Sequence, residues 1–318
     1  MKILITGSTG LLGNLITKSL LVKRIKVIGL DLKEPMELYP EEIFSFYKCS
    51  ITDRERIKKI FAEECPTHVI HLASTLGKLR DKKSEYEIDV EGSKNILACS
   101  NKTTTVKQLI YTSSALAYGG NKENPPMIDE SCELNPGDYT YGKNKKTVEQ
   151  IFSDTSIRND LNLNLLRICN VVGPSFNKPG SVVSLLLNWS WLPEFCKETK
   201  IQFLHEEDFV SVINLILFDK RINGVFNIAP DKYAVVKDLI PHKKYFRIPV
   251  ALAKGILTVL WKLKLINFQP AGIYCAIYPI LLDPGKVRST LDFEFKYSTR
   301  EAFEDTIRTN KLPAGTFI

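Results

Sequence analysis

Lys2-Ile3-Leu4-Ile5-Thr6-Gly7-Ser8-Thr9-Gly10-Leu11-Leu12-Gly13 is the stretch on which the fold turns. An apolar run of strand length enters three glycines spaced three apart, and an amphipathic pattern with Leu15, Ile16 and Leu20 follows. The glycines have separate tasks. Gly7 permits the tight turn, Gly10 lets backbone approach a pyrophosphate with no Cβ in the way, and Gly13 lets the helix pack close to the strand. The opening of that helix, Gly10 through Leu11, Leu12 and Gly13, then offers backbone N–H groups to an anion. A strand before the loop and a helix after it are the context in which such a pattern predicts dinucleotide binding.

Further along, Val27-Ile28-Gly29-Leu30 reads as a second strand ending at Asp31, eighteen residues beyond Gly13. A carboxylate there accepts hydrogen bonds from a ribose 2′-hydroxyl and repels a 2′-phosphate, so NAD is favoured over NADP, with nearby Lys33 working the other way. Strand-like runs at Lys2 to Thr6, Lys26 to Leu30, Ser45 to Lys48, His68 to Leu72, Gln108 to Thr112 and Asn164 to Ile168 alternate with helical patterns at Leu11 to Lys23, Arg54 to Glu64 and Tyr86 to Cys99. Such alternation predicts an α/β fold: a doubly wound parallel sheet of the Rossmann type with helices on both faces. After Pro174 the regularity degrades through the Pro-Gly pair at 179–180, Trp189-Ser190-Trp191 and Pro193. The expected division is a nucleotide-binding domain over 1–173 and a smaller, partly interleaved substrate lobe over 174–318.

At 318 residues, 44% hydrophobic and 25% charged, the chain can bury a sizeable core, which excludes disorder and disulfide miniproteins as its main state. The balance of 43 Lys+Arg against 36 Asp+Glu leaves +7, read here as a basic excess spread along the chain rather than a tract that tracks nucleic acid. Cysteines at 49, 65, 99, 132, 169, 196 and 275 are odd in number and at least sixteen residues apart, so no disulfide framework and no metal-binding spacing is expected. With no cleavable leader pattern at the start, a reducing cytoplasm is the expected location. The longest apolar stretch, Val250 to Ile266, carries Lys254, Lys262 and Lys264, too short and charged for a membrane span. Burial in the core of the lobe is its expected fate, with a peripheral membrane contact as the minor alternative.

In aggregate the motifs resemble the extended short-chain dehydrogenase/reductase family, the group of NAD-dependent epimerases and dehydratases, over nearly the whole chain. They run in order: the TGxxGxxG loop at Thr6 to Gly13, a strand end at His71-Leu72-Ala73-Ser74, the segment Ser113-Ser114-Ala115-Leu116-Ala117-Tyr118-Gly119, a YxxxK pair, and Leu166-Arg167-Ile168-Cys169-Asn170-Val171-Val172-Gly173-Pro174. The resemblance implies a catalytic Ser114, a cofactor site that includes Ile51, Leu72, Ala73 and Ser74, substrate contacts from Thr75, Ser114 and Asn170, and a homodimer built on two helices per subunit.

YxxxK occurs twice, as Tyr139/Lys143 and Tyr141/Lys145. Two residues on a helix turn side chains roughly 200° apart, so only one pair faces the sheet. The Tyr141 face continues through Val148 and Phe152, the Tyr139 face through Lys146 and Gln150, so Tyr141 and Lys145 belong on the buried side. A phenol with an ordinary pKa near about 10 is a poor base at neutral pH unless an ammonium stands by to favour its phenolate, and Lys145 supplies that charge. The resemblance implies that Lys145 also holds the nicotinamide ribose, that Ser114 bonds the reacting oxygen, and that Tyr141 moves the proton of a secondary alcohol while the adjoining carbon exchanges hydride with NAD.

The chain departs from the family pattern in places. Ser50-Ile51 replaces an acid followed by an aliphatic residue, leaving the backbone of Ile51 for adenine, and Thr52-Asp53-Arg54-Glu55 reads as a capping box that starts a helix. Asp89 stands where Asn is usual. Ala115-Leu116 replaces the acid pair that dehydratases use to expel a hydroxyl, and Ile201 occupies the position of an Arg that grips a diphosphate, with His205 read as structural. The leading expectation is an NAD-dependent epimerase or oxidoreductase on a nucleotide sugar, a small-molecule partner, with no nucleic acid and no metal. The alternatives are a hydroxysteroid- or 3-ketoacyl-type enzyme on an apolar substrate and a non-enzymatic dinucleotide sensor.

Overall fold

Ile3, Leu4 and Ile5 lose all solvent exposure, which places the first strand at the centre of a sheet covered on both faces. The structure, a computed structural model, describes residues 1–77, 79–176, 182–195, 198–266 and 269–309; the Pro179-Gly180 pair and Cys196 lie outside these. The sheet contains β1 (Lys2–Thr6), β2 (Lys26–Asp31), β3 (Phe44–Lys48), β4 (His68–His71), β5 (Gln108–Ser114), β6 (Asn162–Ile168) and β7 (Gly224–Ile228). Their order is β7-β6-β5-β4-β1-β2-β3, with β1 pairing in parallel to β2 on one side and β4 on the other. The chain winds outward from β1 to β3 and returns at β4. That reversal opens a crevice beyond the carboxyl ends of β1 and β4, where doubly wound sheets bind ligands.

Between the strands run α1 (Leu11–Val22), α2 (Arg54–Glu64), α3 (Gly92–Lys102), α4 (Thr140–Asp154) and α5 (Glu206–Phe218). The start of α2 differs from the expected box by one residue: Asp53 is the N-cap and accepts from the backbone N–H of Arg56 at 3.0 Å. A carboxylate at N-cap is as good an acceptor as the Thr52 hydroxyl, which instead bonds Ser50. The helix expected from Tyr86 starts earlier, as a short α-helical turn at Lys82–Tyr86, and passes through a π turn, Glu87–Glu91, before α3.

The first compact unit comprises Met1–Ser114, Asn144–Arg167 and Val210–Phe226 and holds the core of Leu4, Ile28, Val69, Leu109, Tyr111 and Phe152 with their neighbours. The second comprises Ala115–Lys143, Ile168–Phe209 and the chain from Asn227 onward, and packs around Phe203, Phe303, Val172 and Ile240. Phe203 and Phe303 stack with ring centroids 5.7 Å apart. The chain passes from one unit to the other after Ser114, Lys143, Arg167, Phe209 and Phe226, and the stretch Val210–Phe226 brings β7 to the sheet beside β6.

Two expectations about the basic apolar segment are corrected. In α6 (Val250–Lys262) only Ala253 is buried, whereas Leu252, Ile256 and Val259 are exposed, because the helix meets its own unit along the Ala253 side alone. Nor is the charge spread along the chain: between Asp238 and Asp283 there are six Lys or Arg and no acid, which is +6 of the +7.

Candidate active site

The glycine loop is built by close approach. Gly7, at φ +72°, donates to the Leu30 carbonyl at 2.8 Å, and Gly10 donates to the Gly7 carbonyl at 3.0 Å. A Cβ on Gly7 would meet the Ala73 nitrogen at 2.8 Å, and one on Gly13 would lie 2.0 Å from the Gly7 oxygen. Any side chain at Gly13 would thus push α1 off the loop. Gly10 caps α1 without a side-chain hydrogen bond, and the first turn, which includes Leu11 and Leu12, carries no acid. The helix end is left electropositive, with donors that an anion can satisfy. Asp31 stands at the loop rim, its carboxylate accepting from Thr9 N–H at 3.1 Å and Leu32 N–H at 2.7 Å. These residues fit a dinucleotide: a cradle that Cβ atoms would fill, a helix N-terminus, and a carboxylate held at a strand end.

Beyond β4, His71 is fully buried and bonded at both ring nitrogens, to Thr6 Oγ1 at 2.6 Å and Ser93 Oγ at 2.9 Å. Ser93 spends its own proton on the Asp89 carbonyl at 2.6 Å, so it accepts from His71 Nε2–H, and Nδ1 accepts from Thr6. Burial, assisted by Lys145, pushes the imidazole down to about 3. The neutral ring straps the end of β1 to the end of β4.

Asp89 organises the next loop. Its buried carboxylate accepts from Ser74 Oγ at 3.0 Å, Thr75 N–H at 2.8 Å, Thr75 Oγ1 at 2.8 Å and Asn144 Nδ2 at 3.4 Å. The departure from Asn at this position is therefore a working acceptor, since an amide oxygen could not serve four donors. Leu72 and Ala73 donate their N–H groups to Thr6 O and Thr6 Oγ1. Ile51 is buried, its side chain against Gly92, and its carbonyl already accepts from Asn95 Nδ2 at 3.0 Å.

Lys145 lies on the buried face of α4, with Val148 and Phe152 further along. Its ammonium donates to the Thr112 carbonyl at 2.8 Å and stands 4.6 Å from the Tyr111 ring centroid. Burial lowers its pKa to about 8, while Asp89 and Glu149 pull in the other direction. Glu149, one turn on, is held by Arg167 through Nε at 2.9 Å and Nη2 at 2.8 Å and by the hydroxyl of Ser113. Lys145 thus sits in a closed charge arrangement rather than as an isolated buried cation.

Tyr141 is 7% exposed and four residues before Lys145 on the same helix face. Lys143 is exposed and pairs with Asp138 at 3.2 Å, as a solvated helix start would have it. A Cβ on Gly142 would meet the Leu116 carbonyl oxygen at 2.4 Å, which explains the absence of a side chain directly after Tyr141. Ser114 is the last residue of β5, and a short 3₁₀ turn, Ala115–Ala117, follows it. Asn170 is exposed on the strand Asn170–Val172, paired with Phe203–His205. His205 bonds Asp305 at 3.1 Å and stacks on Tyr297 at 3.7 Å, a structural placement. Asp89, His71, Ser93 and Glu149 are not among the expected site residues, although His71 and Asp89 stand in the motifs quoted above and Glu149 lies at i+4 from Lys145.

The chain belongs to the NAD dependent epimerase/dehydratase family, whose model matches residues 3–229. Among curated proteins, UDP-glucose 4-epimerase of Haemophilus influenzae is 32% identical over 185 residues, 54% of each chain, so that likeness spans about half of either. Among solved structures, the Bordetella bronchiseptica enzyme WbmG in complex with NAD and UDP superposes with a TM-score of 0.77 at 21% identity, covering 99% of this chain and 94% of that one. UDP-glucose 4-epimerase of Thermotoga maritima, solved with UDP-glucose, gives 0.75 at 24% identity over 98% and 99%. At these identities the superpositions establish the fold, a doubly wound parallel sheet.

Proposed function

We propose that this chain is an NAD-dependent oxidoreductase or epimerase acting at a secondary alcohol or ketone of a nucleotide sugar, with Ser114, Tyr141 and Lys145 as its catalytic residues. The observation that carries the reading is Lys145: a buried ammonium, fixed by the Thr112 carbonyl, on the same face of α4 as Tyr141. NAD, when bound, supplies the hydride acceptor. Gly7, Gly10, Leu11, Leu12 and Gly13 would hold its pyrophosphate, and Asp31 its adenosine ribose. Leu72, Ala73 and Ser74 line the loop at the switch point.

The positive charge of Lys145 favours the phenolate of Tyr141, which takes the proton from the substrate hydroxyl and returns it when the ketone is reduced. Ser114 holds the reacting oxygen. The buried Ala115 and its neighbour Leu116 put no acid behind the serine, which supports oxidation or epimerisation over loss of a hydroxyl. The relatives solved with UDP and UDP-glucose support a nucleotide sugar as the substrate class.

Denaturing extraction of the purified protein followed by mass spectrometry, together with chromatography of UDP-hexoses incubated with it, tests this reading. Co-purified or added NAD with interconversion of a UDP-hexose is the expected outcome. Failure to bind NAD in either form would refute it.

A further inference from the structure

The outward side of α6 is aliphatic. Leu252, Ile256, Val259 and Leu263 recur at i, i+4, i+7 and i+11, one stripe along a helix, and are 56, 45, 56 and 62% exposed. A helix on the surface of a globular protein ordinarily turns charged residues that way. The stripe does not stop with the helix. Leu265 N–H bonds the Leu260 carbonyl at 2.9 Å and Lys264 N–H bonds the Trp261 carbonyl at 3.1 Å, a Schellman cap in which Lys264 takes the left-handed conformation usually left to glycine. The cap leaves Leu265 67% exposed and sets the exposed Lys262 and Lys264 around the aliphatic end.

The stripe lies within the acid-free segment between Asp238 and Asp283, which contains Lys243, Lys244, Arg247, Lys254, Lys262 and Lys264. Its partner must therefore present apolar material and negative charge together. A second copy of the same face would bring the exposed Lys262 and Lys264 of the two chains together around the aliphatic end, a like-charge approach that costs association. We propose that α6 docks on the surface of an anionic lipid bilayer, lying in its plane with Leu252, Ile256, Val259 and Leu263 below the headgroups and Lys262 and Lys264 at the level of the phosphates. The helix lies on the bilayer and does not span it. Its thirteen residues reach about 20 Å, short of the roughly 30 Å hydrocarbon core, and among the described residues no helix is long and apolar enough to cross a membrane. The proposal is independent of the cofactor reading.

Sedimentation of the full chain with vesicles of phosphatidylcholine mixed with phosphatidylglycerol, and with phosphatidylcholine alone, tests it. The wild-type chain pellets with the anionic vesicles and much less with the neutral ones, and added salt weakens the association. Ile256→Asp with Val259→Asp abolishes pelleting, and Lys262→Glu with Lys264→Glu reduces partitioning by about tenfold or more. Because the altered side chains face outward, the far-ultraviolet spectrum and melting temperature stay near wild type. A wild-type chain that stays in the supernatant with the anionic vesicles overturns the proposal. So does a lipid-free dimer that Ile256→Asp with Val259→Asp converts to monomer, which would assign the stripe to a second copy.

Discussion

Lys145 donates its ammonium to the carbonyl of Thr112 at 2.8 Å, tying α4 to β5 at the point where Ser114 ends the strand two residues later. The bond fixes the cation and offsets part of the cost of burying it.

That cost has a pH signature. Burial lowers the Lys145 pKa from 10.5 to about 8 against the opposing pull of Asp89 and Glu149. Between these values the unfolded chain binds a proton that the folded chain lacks, so stability rises with pH across the window, by at most about 3 kcal/mol. Denaturant titrations of wild type and Lys145→Met from pH 7 to above 10 measure it. The variant's stability should rise less over this range; parallel profiles would contradict the buried-cation assignment.

His71 gives the acid side. With its pKa pushed from 6.5 to about 3 by burial and Lys145, the unfolded state binds the extra proton throughout that range, and stability falls as pH drops from 6.5 toward 3. The contribution reaches at most about 5 kcal/mol. His71→Gln should lose part of this acid sensitivity and retain the share contributed by His68, lowered to about 4 chiefly by burial. Unchanged acid denaturation in the variant would contradict the strap.

Asp89→Ala leaves Thr75 N–H, both loop hydroxyls and the Asn144 amide without their acceptor. A loss of about 3 kcal/mol in unfolding free energy is expected, the cost of orphaning buried donors. Equilibrium denaturation checks it, and a loss within experimental scatter would show that the loop does not depend on this carboxylate.

Much of this arrangement is legible in the chain itself. The apolar runs of β1, β2, β4, β5 and β6 mark the sheet because parallel strands buried on both faces need no alternation, whereas β3, at the sheet edge, is only half-buried. Tyr141 separates from Tyr139 by what lies two and three turns further on, Val148 and Phe152 against Lys146 and Gln150. Other features depend on tertiary partners. β7, Gly-Val-Phe-Asn-Ile, opens on glycine and carries a polar Asn, so its place beside β6 comes from the sheet edge that receives it. Asp89 shows no role until the Ser74–Thr75 loop folds over it. For α6, apolar on nearly every side, periodicity could not say which side would be covered, and burial was the wrong inference.

The ribose role proposed for Asp31 carries a prediction about cofactor choice. Replacing it with Ser removes both the ribose acceptor and the charge that repels a 2′-phosphate, so affinity for NADP relative to NAD should rise by about tenfold or more. Calorimetric titration with each cofactor measures this, and a wild-type chain that already prefers NADP would contradict the role given to the carboxylate.

The proton-transfer role of Tyr141 is tested most directly by following nicotinamide reduction in wild type, Tyr141→Phe and Tyr139→Phe, supplied with NAD and a panel of UDP-hexoses, with NAD affinity measured in parallel. The account predicts that Tyr141→Phe keeps NAD affinity and slows reduction by a factor on the order of 100 or more, while Tyr139→Phe stays near wild type. Wild-type rates in Tyr141→Phe, or loss of reduction in Tyr139→Phe alone, would contradict it.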